Sequence, residues 1–228
     1  MTSSKNHLMN RMKTYEAPHK GLRNALSQLE LLSGKTDFNN PAEVERLYSL
    51  GRDVFDILDI HADDENEVTL AELQKRCKGC SDHDMQDHEL LESEQRSLED
   101  FLVAIYEGSQ KGGDISGLGS EFYLLLSNYH GKYLLHLVEE ETVTQPLLWK
   151  HFTDEELAEH RVRIMQRNPP ETLLIWLKFI IPAQTHRERV PFLAGFKKVV
   201  PEALFSKAMD VIRRELPLLD FSSLHKAV

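Results

Sequence analysis

The chain is patterned in long amphipathic repeats with steps of three and four residues, and the clearest of them runs from Gly119 to Trp149. Its inward positions read Phe122, Leu126, Tyr129, Tyr133, His136, Glu140, Val143 and Leu147, the stripe of a long helix with one face turned to a core. Only His136 and Glu140 interrupt the apolar and aromatic run. An imidazole and a carboxylate one turn apart on a buried face lose their hydration, so something inside must compensate them. A metal ion is the expectation, and it requires ligands from elsewhere in the chain.

Three earlier stretches carry related patterns. Pro18 suits the first turn of a helix predicted to run to about Ser33, with His19, Leu22, Leu26, Leu29 and Ser33 on one face and Gly34 as its stop. Asn40-Pro41 opens a second helix whose stripe is Val44, Leu47, Gly51, Val54, Leu58, His61 and Glu65. The His-x-x-x-Glu ending recurs there, while Asp63, Asp64 and Glu67 read as solvated charge. A third helix, from about Asp82 to Gly108, buries Leu91, Leu98, Leu102 and Ile105 and carries His88 and Glu92 in its first turns. Leu91 and Glu92 compete there for the inward direction. The glycine-rich segment from Gln110 to Ser120 is a flexible connection. Cys77-Lys78-Gly79-Cys80, with only His83 close by, lacks the ligands of a structural zinc site and reads as a surface loop, a reversible disulfide being the second reading.

Depth gives a geometric test. His19 and His88 stand near the starts of their helices, His61 and His136 far along theirs. In an antiparallel up-down four-helix bundle, each lies about 14 to 20 residues from the opposite end, or roughly 20 to 30 Å. All four then fall in one layer.

Composition narrows the function classes. The 228 residues suffice for one well-buried domain, and 41% hydrophobic with 28% charged residues is ordinary for a globular protein. A formal net charge of −10 leaves no basic face to release phosphate counterions, which argues against nucleic acid, and an acidic membrane surface would repel the chain. Met1 to Tyr15 is polar and lacks a signal-peptide core, and the greasy stretch Thr172 to Ile181, interrupted by Lys178, is too short to span a bilayer. With two cysteines, a cytoplasmic location is the default expectation.

Imidazole with carboxylate suits iron, zinc or manganese, and about four histidines with two or three glutamates exceed what one tetrahedral ion uses. Two ions bridged by carboxylates and an oxo or hydroxo group would use them. Ferritin-type sites rely mainly on carboxylates with a Glu-x-x-His signature, whereas this set is richer in histidine and uses His-x-x-x-Glu.

Over about residues 15 to 165 the chain resembles the haemerythrin-like, or HHE cation-binding, domains. The resemblance rests on His19-Lys20-Gly21-Leu22-Arg23, His61-x-x-x-Glu65, His88-x-x-x-Glu92, and His136-x-x-x-Glu140-Glu141 followed by Pro146. It implies a four-helix bundle holding a non-haem di-iron centre that binds dioxygen or another small diatomic ligand. Relatives act in oxygen carriage, oxygen or iron sensing, and stress or iron handling. By position, His19, His61, His88 and His136 correspond to terminal ligands and Glu65 and Glu140 to bridging carboxylates. Glu92 stands where the invertebrate oxygen carriers have a further histidine, and an extra carboxylate there would favour the ferric state. Some relatives place the last carboxylate one residue later, which makes Glu141 the fallback for Glu140. Tyr129 and Tyr133 share the stripe and are candidates for hydroxyls behind the ligands.

After Trp149, Thr153-Asp154-Glu155-Glu156 is a capping box opening a helix to about Arg167, and Asn168-Pro169-Pro170 opens another. Leu173, Leu174, Trp176, Leu177, Ile180 and Ile181 make that one apolar nearly all round, so it should be buried against the bundle or a partner, which leaves room for a homodimer interface. Residues 184–216 are predicted as one or two helices broken by Pro191 and Pro201. The expected organisation is a tail over 1–14, a metal-binding bundle over 15–150, and a helical extension over 151–228 packed on it. A metal- and oxygen-binding protein is the preferred reading. The alternatives are a di-iron oxidase, ferroxidase or peroxide-reducing enzyme, and a helical interaction protein with a degenerate or zinc-filled site.

Overall fold

The chain folds from helices alone among the residues that the computed structural model describes, 11–112 and 114–228. Most of the tail expected over 1–14, up to residue 10, lies outside the described residues, as does Gly113 of the glycine-rich connection. No helix among them is long and apolar enough to cross a membrane.

Helix α1 spans Glu16–Lys35, which puts Pro18 at the third helical position, where the missing N–H costs no intrahelical bond. Helix α2, Pro41–Asp64, starts as its cap predicts: the Asn40 side chain accepts from the Ala42 N–H at 3.1 Å. It then widens into a π-helical turn, Glu65–Leu70, before the short α3, Ala71–Arg76. Helix α4 spans Asp82–Gln110. Helix α5, Ser116–Glu139, passes through a second π-helical turn, Glu140–Thr144, into α6, Gln145–His151. Helix α5 begins three residues ahead of Gly119, which therefore sits inside the helix. A Cβ there would stand 2.3 Å from the Phe38 ring, so the glycine serves close approach rather than flexibility.

The second π turn changes which residues face inward. A wider turn takes up an extra residue, so beyond Glu140 the buried positions are Thr144 and Leu148 rather than Val143 and Leu147; Val143 is 51% exposed and Leu148 fully buried. Helix α7, Asp154–Arg167, opens on the reciprocal capping box. The Glu156 N–H donates to Thr153 Oγ1 at 3.3 Å, and the Thr153 N–H to Glu156 Oε2 at 2.9 Å.

Two compact units divide the chain, one holding the described residues up to Glu16 with Leu26–Arg167, the other Ala17–Ala25 with Asn168–Val228. Helix α1 is continuous and contributes to both. In the first unit α2 packs along α4 and α4 along α5, around Leu47, Val54, Ile57, Leu98, Leu102, Ile105, Phe122 and Leu126. Glu30 ties α1 to α5 by accepting from Ser127 Oγ at 2.7 Å and pairing with His130 Nδ1. A smaller apolar cluster gathers Tyr15, just before α1, with Leu73, Leu148, Phe152 and Leu157, which follow the two π turns. Cys77 and Cys80 pack on it and are joined as a disulfide, so the turn is more than an open surface loop. Asp64 departs from the solvated-charge expectation: it is buried and accepts from Arg167 Nε at 3.1 Å, while exposed Asp63 takes Nη2 at 2.6 Å.

The second unit contains α8 (Pro170–Ala183), α9 (His186–Val199), α10 (Glu202–Glu215) and α11 (Leu218–Ala227). Within it α8 packs on α10 and α9 on α11. Leu177, Phe179, Ile180 and Ile181 of the apolar helix are buried. Pro191 lies inside α9 and does not break it. That helix is held at its start by a capping box between Thr185 and Glu188, and the proline costs a single backbone bond soon after. Pro201 does separate α9 from α10.

Candidate metal centre

His61 and Glu65 lie one turn apart at the end of α2, and His136 and Glu140 repeat the arrangement at the end of α5. Each glutamate is the first residue of a π-helical turn, a feature frequent at functional sites and invisible in the stripe itself. His88 joins them from α4. All five side chains are buried, with Glu140 at 0% exposure and none above 5%.

The donor atoms face one another at spacings longer than hydrogen bonds. Glu65 presents Oε1 to His61 Nε2 at 3.4 Å and Oε2 to His88 Nε2 at 3.6 Å. Glu140 presents Oε1 to His88 Nε2 at 3.5 Å and to His136 Nε2 at 3.4 Å. A nitrogen–oxygen hydrogen bond is about 2.7–3.2 Å, whereas two ligands each about 2.0–2.2 Å from one ion and about 90–120° apart stand roughly 2.9–3.7 Å from each other. His61, Glu65 and Glu140 offer donor atoms within 4.8 Å of one another, and so do His88, His136 and Glu140. Glu140 belongs to both sets, and Glu65 spans them with its two oxygens.

The electrostatics of the site would favour a cation. Burial first, and then the neighbouring Glu140 carboxylate, push the Glu65 carboxyl well above the usual range. Asp84, one turn before His88, is pushed up to about 6 by burial, against a hydrogen bond from Thr144 Oγ1 at 2.8 Å, with Glu140 adding to the rise. Burial, followed by the charges on Glu65, Glu140 and Asp84, raises the Tyr15 hydroxyl well above its ordinary value. Glu65, Asp84 and Tyr15, facing one buried spot, favour their neutral forms in the absence of a cation. The donor set, imidazole and carboxylate on five buried side chains, is fit to bind metal ions.

Neighbouring groups orient the ligands. His88 Nδ1 lies 2.9 Å from Asn66 Oδ1, a contact that suits the tautomer in which Nδ1 donates and the Nε2 lone pair is turned to the carboxylates. His136 Nδ1 faces Asp87 Oδ2 at 3.6 Å, and the His136 ring stands edge-on to that of His88 at 4.8 Å. Losing an outer partner of this kind costs about 10- to 100-fold in metal affinity. Asn66→Ala is therefore expected to weaken metal binding by that factor without unfolding the chain, as measured by competition with a chelator of known affinity.

Other sequence candidates stand differently. Glu92 is turned toward Arg96, 3.3 Å away, and is outside both sets, its side chain 32% exposed; Leu91 wins the contest for the inward direction at 8% exposure. Glu141 is only partly buried and is not among the donors either. The Tyr129 hydroxyl donates to Gln95 Oε1 at 3.1 Å, and Gln95 in turn donates to Asp59 and Glu99, so Tyr129 serves a separate buried network. Tyr133 does border the site, its ring centroid 5.8 Å from that of His136. Burial, then Tyr129, then the charges on Glu140 and Glu65 raise its hydroxyl. His19 is fully buried in the first turn of α1, within the portion that belongs to the second unit. Asn66, Asp84, Asp87, Thr144 and Tyr15 were not singled out from sequence. Asp84 had a signal, standing four residues before His88, and Tyr15 stands four before His19.

The chain matches no protein-family model, no curated protein and no solved structure.

Proposed function

We propose that this chain is a non-haem di-iron protein of the haemerythrin-like kind, an up-down four-helix bundle that binds dioxygen or a related small ligand in oxygen or iron sensing, storage or stress handling. The observation that carries this reading is the shared use of two buried carboxylates. Glu65 turns one oxygen to His61 and the other to His88, and Glu140 completes both donor sets. Carboxylates so placed suit a pair of ions better than one. His61 with Glu65 and Glu140 would hold one iron and His88 with His136 and Glu140 the other.

When bound, a di-iron pair supplies reversible redox chemistry toward dioxygen and related molecules. The protein supplies the rest: imidazoles, of which His88 is oriented by Asn66, carboxylates that neutralise the ions, and surroundings of buried side chains. Glu92, turned to Arg96, would leave the second iron short of a protein ligand, with room for a small exogenous one. The burial of every donor favours a small ligand over a bulky substrate.

Optical spectra of the iron-loaded protein in reduced, air-exposed and peroxide-treated states test this. An oxo-bridged ferric band that appears on oxygenation and is lost on reduction is the expected result. Sustained turnover of peroxide or ferrous iron would favour the enzyme, and a chain whose metal content is the same in His136→Ala would sink the di-iron reading.

A further inference from the structure

A second group of metal-binding side chains lies at the surface beside the buried donors. His83 and Asp87, one turn apart at the start of α4, meet Glu139, the last residue of α5. His83 Nδ1 stands 3.6 Å from Asp87 Oδ2, and His83 Nε2 stands 3.6 Å from Glu139 Oε1. One donor atom from each lies within 4.8 Å of the other two. Unlike the inner set, these side chains reach solvent, at 60% exposure for His83, 43% for Glu139 and 29% for Asp87.

Two features separate this group from an ordinary surface ion pair. Asp87 Oδ2 is also 3.6 Å from Nδ1 of buried His136, so one carboxylate oxygen faces an outer imidazole and an inner one. In addition, two of the three outer groups are chain neighbours of inner donors, Asp87 of His88 and Glu139 of Glu140. Adjacent residues on a helix point about 100° apart, which sets the outer group on the flank of the seam between α4 and α5 that the inner donors line.

The geometry points to a surface site for a divalent cation, formed by His83, Asp87 and Glu139, that captures the ion and passes it inward past Asp87 to the buried donors. The hand-over rests on the proposed metal centre; the surface site does not. One imidazole with two carboxylates is chemistry for ions that also suit the inner set. A charged, exposed catchment raises the local concentration of the ion and speeds its entry.

Cobalt(II) added to the chelator-stripped full-length protein is the probe. The His83 ring resonances should broaden at low cobalt in the wild type and in Glu140→Gln, whose inner donors are weakened, and the broadening seen in Glu140→Gln should be lost when Glu139→Gln is added to it. The rate at which the inner donors take up cobalt, followed by its visible absorption, should fall about tenfold or more in His83→Ala/Glu139→Gln, with the final inner occupancy unchanged. Asp87 is kept, because it also faces His136. His83 resonances that stay sharp in the wild type would overturn the surface site, and wild-type loading rates in the double variant would overturn the hand-over. Broadened His83 with no cobalt taken up inside would leave the surface site standing and remove the proposed function.

Discussion

Replacing Glu140 by glutamine is expected to move the metal-free and metal-loaded proteins in opposite directions. In the metal-free chain, Glu140 is a fully buried carboxyl group whose charge raises the neighbouring Glu65, so glutamine removes the repulsion between the two. Each gain of about 1 kcal/mol lifts the thermal midpoint by about 2–4 °C in a chain of this size. In the loaded protein the same change removes a ligand common to both donor sets. Its effect should exceed the roughly 100-fold upper end for losing an outer partner, or about 3 kcal/mol. Paired thermal melts and metal contents of wild type and Glu140→Gln, with and without chelator, measure both arms. Glu92→Gln, outside the donor sets, is the contrast and should leave metal content unchanged. A Glu140→Gln protein that keeps its metal, or whose metal-free midpoint falls, would contradict the arrangement.

The second large effect is in the pH dependence of stability. The folded pKa of Glu65 lies above its unfolded value. The stability it contributes in neutral form is therefore complete below the unfolded carboxylate range and is lost as pH rises through the folded value. Asp84, pushed up to about 6, adds a loss of the same sign that is complete above neutral pH. The metal-free protein should thus weaken between about pH 4 and pH 7. Metal binding has the opposite slope, because protons compete with the ion for imidazole and carboxylate and are released when it binds. The gap in midpoint between loaded and chelated protein should widen from about pH 5 to about pH 8. A gap that stays constant over that range would show that the ion does not displace protons from these groups.

The inner donors could be read from sequence because helical periodicity reports burial. A histidine and a glutamate on an otherwise apolar stripe stand out whether or not the fold is known, as His61, Glu65, His136 and Glu140 do. What periodicity could not register was a change in the helix itself. Both glutamates start π turns, and the one-residue slip beyond Glu140 sends Val143 outward and brings Thr144 in, where its hydroxyl meets Asp84. At Glu92 the stripe was ambiguous for a different reason. Adjacent positions of opposite character can be separated only by tertiary packing, and Leu91 takes the core while Glu92 takes Arg96. Asn66 and Asp87 act through partners on other helices, contacts that spacing along one helix does not encode. The course of α9 through Pro191 illustrates the same limit, since a capping box nearby outweighed a residue that breaks helices by propensity.

The proposed function requires a pair of ions held between Glu65 and Glu140, and Mössbauer spectroscopy of the protein loaded with isotopically enriched iron, alongside iron content per chain, would detect it. The expected result is about two irons per chain, magnetically coupled so that the oxidised pair is diamagnetic at low temperature, with the coupled signal lost in Glu140→Gln. A single uncoupled high-spin iron, or a spectrum and iron content that survive the loss of Glu140, would contradict it.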